Sequence, residues 1–364
     1  MSAPRSSVLW SLGLLSMAAC AQAQPSPAMA PPPIAQAGPP AAAPAAGSAA
    51  GPASSADPRF DAELSAYPYP FPVHRLELSS QQQKIEMAYM DVAPAQPNGH
   101  TVILLHGKNF TAAYWEPTIR FLTERGYRVI APDQIGFGKS SKPASYQYSF
   151  QQLAENTNAV LDAAGVTRVS VVGHSMGGML ATRFALLHPE RVDKLVLVNP
   201  IGLEDWKTVV PYHSIDQWYA QEKKATADSV REYQRTSYYG GTWKPAYERL
   251  IEPAVGMIKH PDYPKVAWAS ALLYDMIYTQ PVVYEFPRLK VPTLLVIGQR
   301  DRTALGRAWA PKEAAATLGD YPALGKKAAA AIPGATLVEI PGVGHLPQVE
   351  AFEAYSQALA RFLP

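Results

Sequence analysis

The sequence predicts an α/β fold: a mostly parallel, eight-stranded sheet flanked by helices, with a helical cap inserted after strand 6. Three observations carry this prediction. Short β-branched apolar runs alternate with longer amphipathic segments, the pattern of a parallel sheet covered on both faces. Several of those runs end in polar or glycine-bearing turns, where an open sheet of this kind places its ligand and its chemistry. One long stretch, 201–286, breaks the alternation with no strand-like run and many aromatic residues.

Taken in order, residues 73–78 and 84–90 read as an antiparallel hairpin at the start of the sheet. The strands that follow are 102–105, 128–131, 169–172, 195–198, 293–297 and 336–340. Helices are expected at 112–125, 150–164, 176–188 and 351–362. The stretch 201–286 holds Trp206, Trp218, Tyr219, Tyr238, Tyr239, Trp243, Trp268 and Tyr274. Any one of these rings can serve simply to pack the cap on the core, since aromatics bury large areas wherever they fall. As a group they are expected to contribute to a pocket below. The segment 302–333, rich in Ala and Lys, has no assigned place.

Ahead of the fold, Arg5 precedes an apolar stretch at 8–19 that is too short to span a bilayer as a helix. It reads as an export signal, ending at residue 23 if the small-x-small sequence Ala21-Gln22-Ala23 is cleaved. The sequence Met17-Ala18-Ala19-Cys20 offers the alternative of a lipidated Cys20, and only in that case is a membrane a partner. Cys20 is the one cysteine of the chain, so an intramolecular disulfide is impossible. Residues 24–58 are dominated by Pro, Ala, Gly and Ser and are expected to be a disordered spacer. The organisation expected is therefore signal 1–23, linker 24–58, core 59–200 with 287–364, and cap 201–286, in a periplasmic or secreted protein.

With 364 residues, 48% of them hydrophobic and 17% charged, the chain has the composition of an ordinary globular protein with a large core. A net charge of +2, without a basic cluster, gives no purchase on nucleic acid or on an anionic membrane surface, which leaves a small neutral substrate as the expected partner. Nothing in the chain selects an oligomeric state.

The chemistry is concentrated in a few loops. Gly173-His174-Ser175-Met176-Gly177 follows the apolar run 169–172 and opens a helix, which is G-x-S-x-G in the strand-turn-helix setting that exposes a serine hydroxyl above a sheet. A serine hydroxyl is a poor nucleophile until a base takes its proton. His345, in the glycine-bearing loop Pro341-Gly342-Val343-Gly344-His345 after the last strand, is the candidate base, while His106 and His174 belong to glycine turns and read as structural. The base needs a carboxylate to fix its tautomer. Asp301, in Gly298-Gln299-Arg300-Asp301, is the candidate, with Glu204 and Asp205 after the preceding strand as rivals. A developing oxyanion needs two backbone donors, one after the nucleophile and one in the loop after the third strand. These are expected to be the amides of Met176 and Lys108, or Asn109 if the loop is displaced by one residue.

Together, His106-Gly107, the sequence Pro132-Asp133-Gln134-Ile135-Gly136-Phe137-Gly138-Lys139-Ser140, the serine elbow, Gly298 to Asp301 and Gly344-His345 resemble the α/β-hydrolase superfamily from about Leu76 to the C-terminus. The resemblance implies an α/β-hydrolase fold and points to the branch with carboxylesterases, C–C bond hydrolases, haloalkane dehalogenases and epoxide hydrolases. The last two carry Asp at the position of Ser175, so likeness to them implies their scaffold and not their chemistry. In the family Asp133 belongs to a structural turn near the site. The expected activity is hydrolysis of a carboxylic ester of a small, apolar substrate through an acyl-enzyme, without metal or organic cofactor. The same residues suit cleavage of a C–C bond, lactone, thioester or amide, and a non-catalytic binding protein on this scaffold is the alternative from another class.

Overall fold

The computed structural model describes residues 59–364. The expected export segment, Cys20 and the spacer at 24–58 lie outside the described residues. Strands β1 (Val73–Ser80) and β2 (Gln83–Val92) form an antiparallel hairpin, with Val73 opposite Met90 and Ser80 opposite Gln83. They are followed by β3 (Thr101–Leu105), β4 (Arg128–Pro132), β5 (Val169–His174), β6 (Val192–Val198), β7 (Thr293–Gly298) and β8 (Thr336–Ile340). The eight strands make one sheet in the order β1-β2-β4-β3-β5-β6-β7-β8, antiparallel at β1/β2 and β2/β4 and parallel from β4 onward.

Alternation along the strands divides the core in two. Ile103 and Leu105, Leu195 and Leu197, and Leu295 and Ile297 belong to one buried cluster. Their neighbours Val102 and Leu104, Val196 and Val198, and Leu294 and Val296 belong to the other. Period-two side chains reach opposite faces of a sheet, so each face needs its own cover. Helices α2 (Phe150–Ala163) and α3 (Met176–Leu187) cover the first face, through residues such as Leu153, Val160, Leu180 and Phe184. On the second face Ile119 and Leu122 come from α1 (Glu116–Thr123), and Tyr355 and Leu359 from the C-terminal helix.

Local chemistry sets the helix ends. The expected helix at 112–125 divides into a 3₁₀ turn, Ala112–Trp115, and α1, because Pro117 lacks an amide proton and fits the first turn of an α-helix, not its interior. Helix α2 begins where the Ser149 hydroxyl accepts from the Gln152 amide at 3.0 Å. Between β6 and β7 the chain forms α4 (Ile215–Glu222), α5 (Ala227–Ser237), α6 (Glu248–Ile258) and α7 (Tyr263–Thr279). The first two open on reciprocal caps, Ser214 with Gln217 and Thr226 with Ser229.

The segment 302–333 contains α8 (Lys312–Thr317) and α9 (Tyr321–Ala331). Helix α9 packs on β7, where a Cβ on Gly325 would stand 3.0 Å from Ile297 Cγ1, so it is the helix that joins the two last parallel strands. At the C-terminus α11 (Phe352–Phe362) is the helix expected at 351–362, and a short α10 (Pro347–Glu350) precedes it, separated by Ala351 in a non-helical conformation. Among the described residues no helix is long and apolar enough to cross a membrane.

Strand β3 has β4 on one side and β5 on the other, so the chain reverses its direction of travel across the sheet between β4 and β5. Connections leave the carboxyl ends of β3 and β5 in opposite directions, and a crevice opens between them. Leu105 of β3 is paired with Gly173 of β5, directly before the serine turn. Val102 to Leu105 of central β3 are fully buried, and Leu104→Ala should lower the unfolding free energy by about 2–5 kcal/mol in denaturant titrations. A loss well below ~1 kcal/mol would show that the second core cluster is loosely packed at this point.

Candidate active site

Ser175 stands between β5 and α3 with φ 57° and ψ −121°, a conformation rare for any residue with a side chain and costing about 1–3 kcal/mol. Its surroundings hold it there. The Ser175 amide donates to Val198 O at 3.1 Å, and its carbonyl accepts from Gly178 at 2.9 Å and from Ile201 at 3.2 Å. Strand and helix can approach this closely only where Cβ atoms are absent. A Cβ on Gly177 would lie 2.1 Å from Leu105 O, and one on Gly173 would lie 2.2 Å from Gly177 O.

The loop after β3 is pressed against the same turn, since a Cβ on Gly107 would lie 3.1 Å from Ser175 Cβ. His106 shapes this loop. Its Nε2 accepts from the Gln134 amide at 3.0 Å, so Nδ1 carries the proton and donates to Gly107 O at 2.9 Å. Burial lowers the pKa of His106 and favours the neutral ring this pairing requires. Met176 is the first residue of α3, where an amide has no acceptor within its helix. Among the described residues the amides of Met176, Lys108 and Asn109 have no protein acceptor.

The structure brings Ser175, His345 and Asp301 together. Ser175 Oγ lies 3.0 Å from His345 Nε2, and His345 Nδ1 lies 2.6 Å from Asp301 Oδ2. His345 and Asp301 are fully buried and Ser175 is 5% exposed. Asp301 accepts at Oδ2 from Asn199 Nδ2 at 2.8 Å and at Oδ1 from the Thr303 amide at 2.8 Å. Burial alone would raise the pKa of this carboxyl, but the charge and hydrogen bond of His345 and the hydrogen bond from the Thr303 amide outweigh it and hold it below the usual value. A carboxylate so placed fixes the ring with its proton on Nδ1, leaving Nε2 free to accept from the serine.

The rival acids are elsewhere. Glu204 accepts from Trp206 Nε1 at 3.1 Å and from the Gly319 amide at 2.9 Å, and Asp205 accepts from Lys207 N and from the Tyr284 hydroxyl. The position that faces Asp301 from the end of β6 is Asn199, which also accepts from the Gly298 amide at 2.8 Å. Asp133 is buried within its turn, accepting from the Ala112 and Lys139 amides and the Tyr69 hydroxyl at 2.6–2.8 Å.

Several supports of the site escape a reading of motifs. His174 Nε2 donates to His345 O at 2.9 Å, and its Nδ1 accepts from the Tyr114 hydroxyl at 3.0 Å. Burial, then the neighbouring His345, hold the pKa of His174 well below the usual value, so it remains the neutral strut that this pairing needs. Tyr238 lies parallel to the His345 ring at 4.5 Å between centroids, accepts from the His345 amide at its own carbonyl, and receives Asn109 Nδ2 at its hydroxyl at 2.7 Å. Glu350 accepts from the Gly344 amide at 2.8 Å and is paired with Arg300, which fastens the loop from below. The signal available in the sequence for Asn199 was an Asn directly after an apolar run, a residue that tolerates the positive φ of 36° it adopts there better than most.

Gly177→Ala should destabilise the fold by about 3 kcal/mol or more, because its Cβ meets a backbone carbonyl that cannot step aside. Thermal melting beside the parent protein measures this, and an unchanged midpoint would mean that the turn is free to open.

A family model for the alpha/beta hydrolase fold matches residues 100–352. A solved structure from Pseudomonas aeruginosa PAO1, described as a probable hydrolytic enzyme, is 56% identical, covers 85% of this chain and 99% of its own, and has a TM-score of 0.83. A 2-hydroxymuconate semialdehyde hydrolase of Pseudomonas putida is 28% identical over 74% of this chain and 88% of its own. A 2-hydroxy-6-oxo-2,4-heptadienoate hydrolase of the same species, from strain F1, is 27% identical over 56% of this chain and 73% of its own.

Proposed function

The chain belongs to the α/β-hydrolase family, and we propose that it is a serine hydrolase cleaving a carboxylic ester of a small, largely apolar substrate through an acyl-enzyme. The observation that carries this reading is the hydrogen-bonded line from Ser175 Oγ through His345 to Asp301, beside two backbone amides with no acceptor of their own. In this mechanism His345 Nε2 takes the Ser175 proton as the oxygen attacks the ester carbonyl. The resulting imidazolium is stabilised by the Asp301 carboxylate at Nδ1. The Met176 and Lys108 amides stabilise the oxyanion, aided by the positive N-terminal end of α3. His345 then returns the proton to the departing alcohol. Water, activated by the same ring, attacks the acyl-enzyme, and the acid leaves.

The aromatic residues between β6 and β7 support an apolar acyl or alcohol group. The N-terminal segment 1–23 supports a location outside the cytoplasm, and fractionation of cells expressing the full chain tests it.

Incubation with a fluorophosphonate probe and a series of nitrophenyl esters, beside Ser175→Ala, tests the nucleophile. Labelling and turnover should both vanish in the variant. Asp301→Asn should lower kcat by up to about 10⁴-fold, while Glu204→Gln and Asp205→Asn should change it by less than about threefold. The reverse ranking would move the acid to the loop after β6.

Cleavage of a C–C bond by the same residues is the second reading, and it is supported by the 2-hydroxymuconate semialdehyde hydrolase relative. A protein labelled at Ser175 that turns over 2-hydroxymuconate semialdehyde faster than any ester would establish it.

A further inference from the structure

We infer that the Lys108 ammonium reads a carboxylate on the substrate, so that the preferred substrate is an ester or lactone with one anionic group near its scissile carbonyl. The inference rests on the hydrolase reading and adds a charge to the largely apolar substrate. Only the backbone of Lys108 is used in the mechanism above, which leaves its side chain unexplained. That side chain rises from a loop packed on Ser175 and ends against α7, with Nζ 2.6 Å from Ser270 Oγ and 3.4 Å from the centroid of the Tyr274 ring. Tyr274 is in turn stacked on Trp218 at 4.1 Å, so the ammonium is one end of a rigid cation–aromatic stack.

The charge has no direct counterion. Among the described residues no carboxylate oxygen lies within ion-pair distance of Lys108, and of its three N–H donors only the one to Ser270 has a hydrogen-bond acceptor. Glu222 stands one residue further back, accepting from the Ser270 hydroxyl at 2.6 Å. That relay orients Ser270 to accept from Lys108. Burial pushes the pKa of Lys108 down to about 8, with Glu222 opposing the shift, so the group is still charged at neutral pH. An apolar side chain would pack against Tyr274 without the cost of burying an ammonium. A cation kept in place, charged and short of partners, on a residue whose loop packs on the Ser175 turn, is what recognition of a substrate anion requires.

The test uses matched pairs of esters: a 4-nitrophenyl monoester of glutaric acid against the corresponding methyl diester, and the acetate of 4-hydroxybenzoic acid against 4-methylphenyl acetate. Each kcat/KM is divided by the rate of hydroxide hydrolysis. The full-length protein should favour the anionic member of at least one pair by about tenfold or more. Lys108→Met should lower that ratio by about tenfold or more, and Lys108→Arg should keep most of it. Because the ratio is the readout, a general loss of rate from a disturbed loop cancels. Neutral esters turned over as well as their anionic partners would overturn the inference and leave the hydrolase reading standing, and this result needs no variant. A preference that survives Lys108→Met would also overturn it. Failure of the protein to hydrolyse any of these esters would instead count against ester hydrolysis.

Discussion

The site depends on a close approach of backbones at the carboxyl ends of β3 and β5. Gly173, Gly177 and Gly107 have no Cβ, and each would drive one into a carbonyl, a helix or the nucleophile itself if it did. Their absence lets α3 start directly against the sheet, which places Ser175 at the helix N-terminus and the loop of Lys108 beside it. The crossing of the chain between β4 and β5 supplies the crevice. The three glycines let two connections share it at van der Waals distance.

Around that contact the burial of Asp301 and His345 is offset by the partners each of them has. A carboxylate and an imidazole without solvent contact would be costly if either lacked partners. Asp301 instead accepts from His345, Asn199 and Thr303, and the backbone of His345 is held by Tyr238 at its amide and His174 at its carbonyl. Residues from the ends of β5, β6 and β7 and from the helical insertion therefore fix a single ring orientation. Pre-set geometry of this kind lowers the reorganisation needed when charge develops on the ring.

Much of this was legible in the chain, for a physical reason. Parallel strands buried on both faces must be continuous apolar runs, so 102–105, 169–172, 195–198 and 293–297 stand out from their surroundings. Ser175, Asp301 and His345 were readable because each follows such a run within a few residues. The helix α9 was missed because its Ala- and Lys-rich sequence shows no strong apolar face, and the helices α4 to α7 were read only together, as one helical stretch. His174 was read only as structural and Tyr238 only as one of the aromatics of 201–286, and their contacts with His345, like that of Asn199 with Asp301, were not legible because they are long-range. His174 meets the carbonyl of a residue 171 positions away and Asn199 meets one 102 positions away. No local pattern encodes such a meeting. Lys108 shows both limits: its backbone role follows from loop position, and its side chain acquires meaning only once Ser270 and Tyr274 are seen around it.

The dihedral angles of Ser175 carry an evolutionary consequence. Glycine adopts positive φ without penalty, so at this position selection for a robust fold and selection for reactivity favour different residues. A lineage released from the need for its chemistry gains stability by drifting to glycine at 175, whereas one that keeps the serine must carry the strain with stability drawn from elsewhere in the fold. The strain at 175 is thus a cost in stability that glycine would remove only by giving up the hydroxyl.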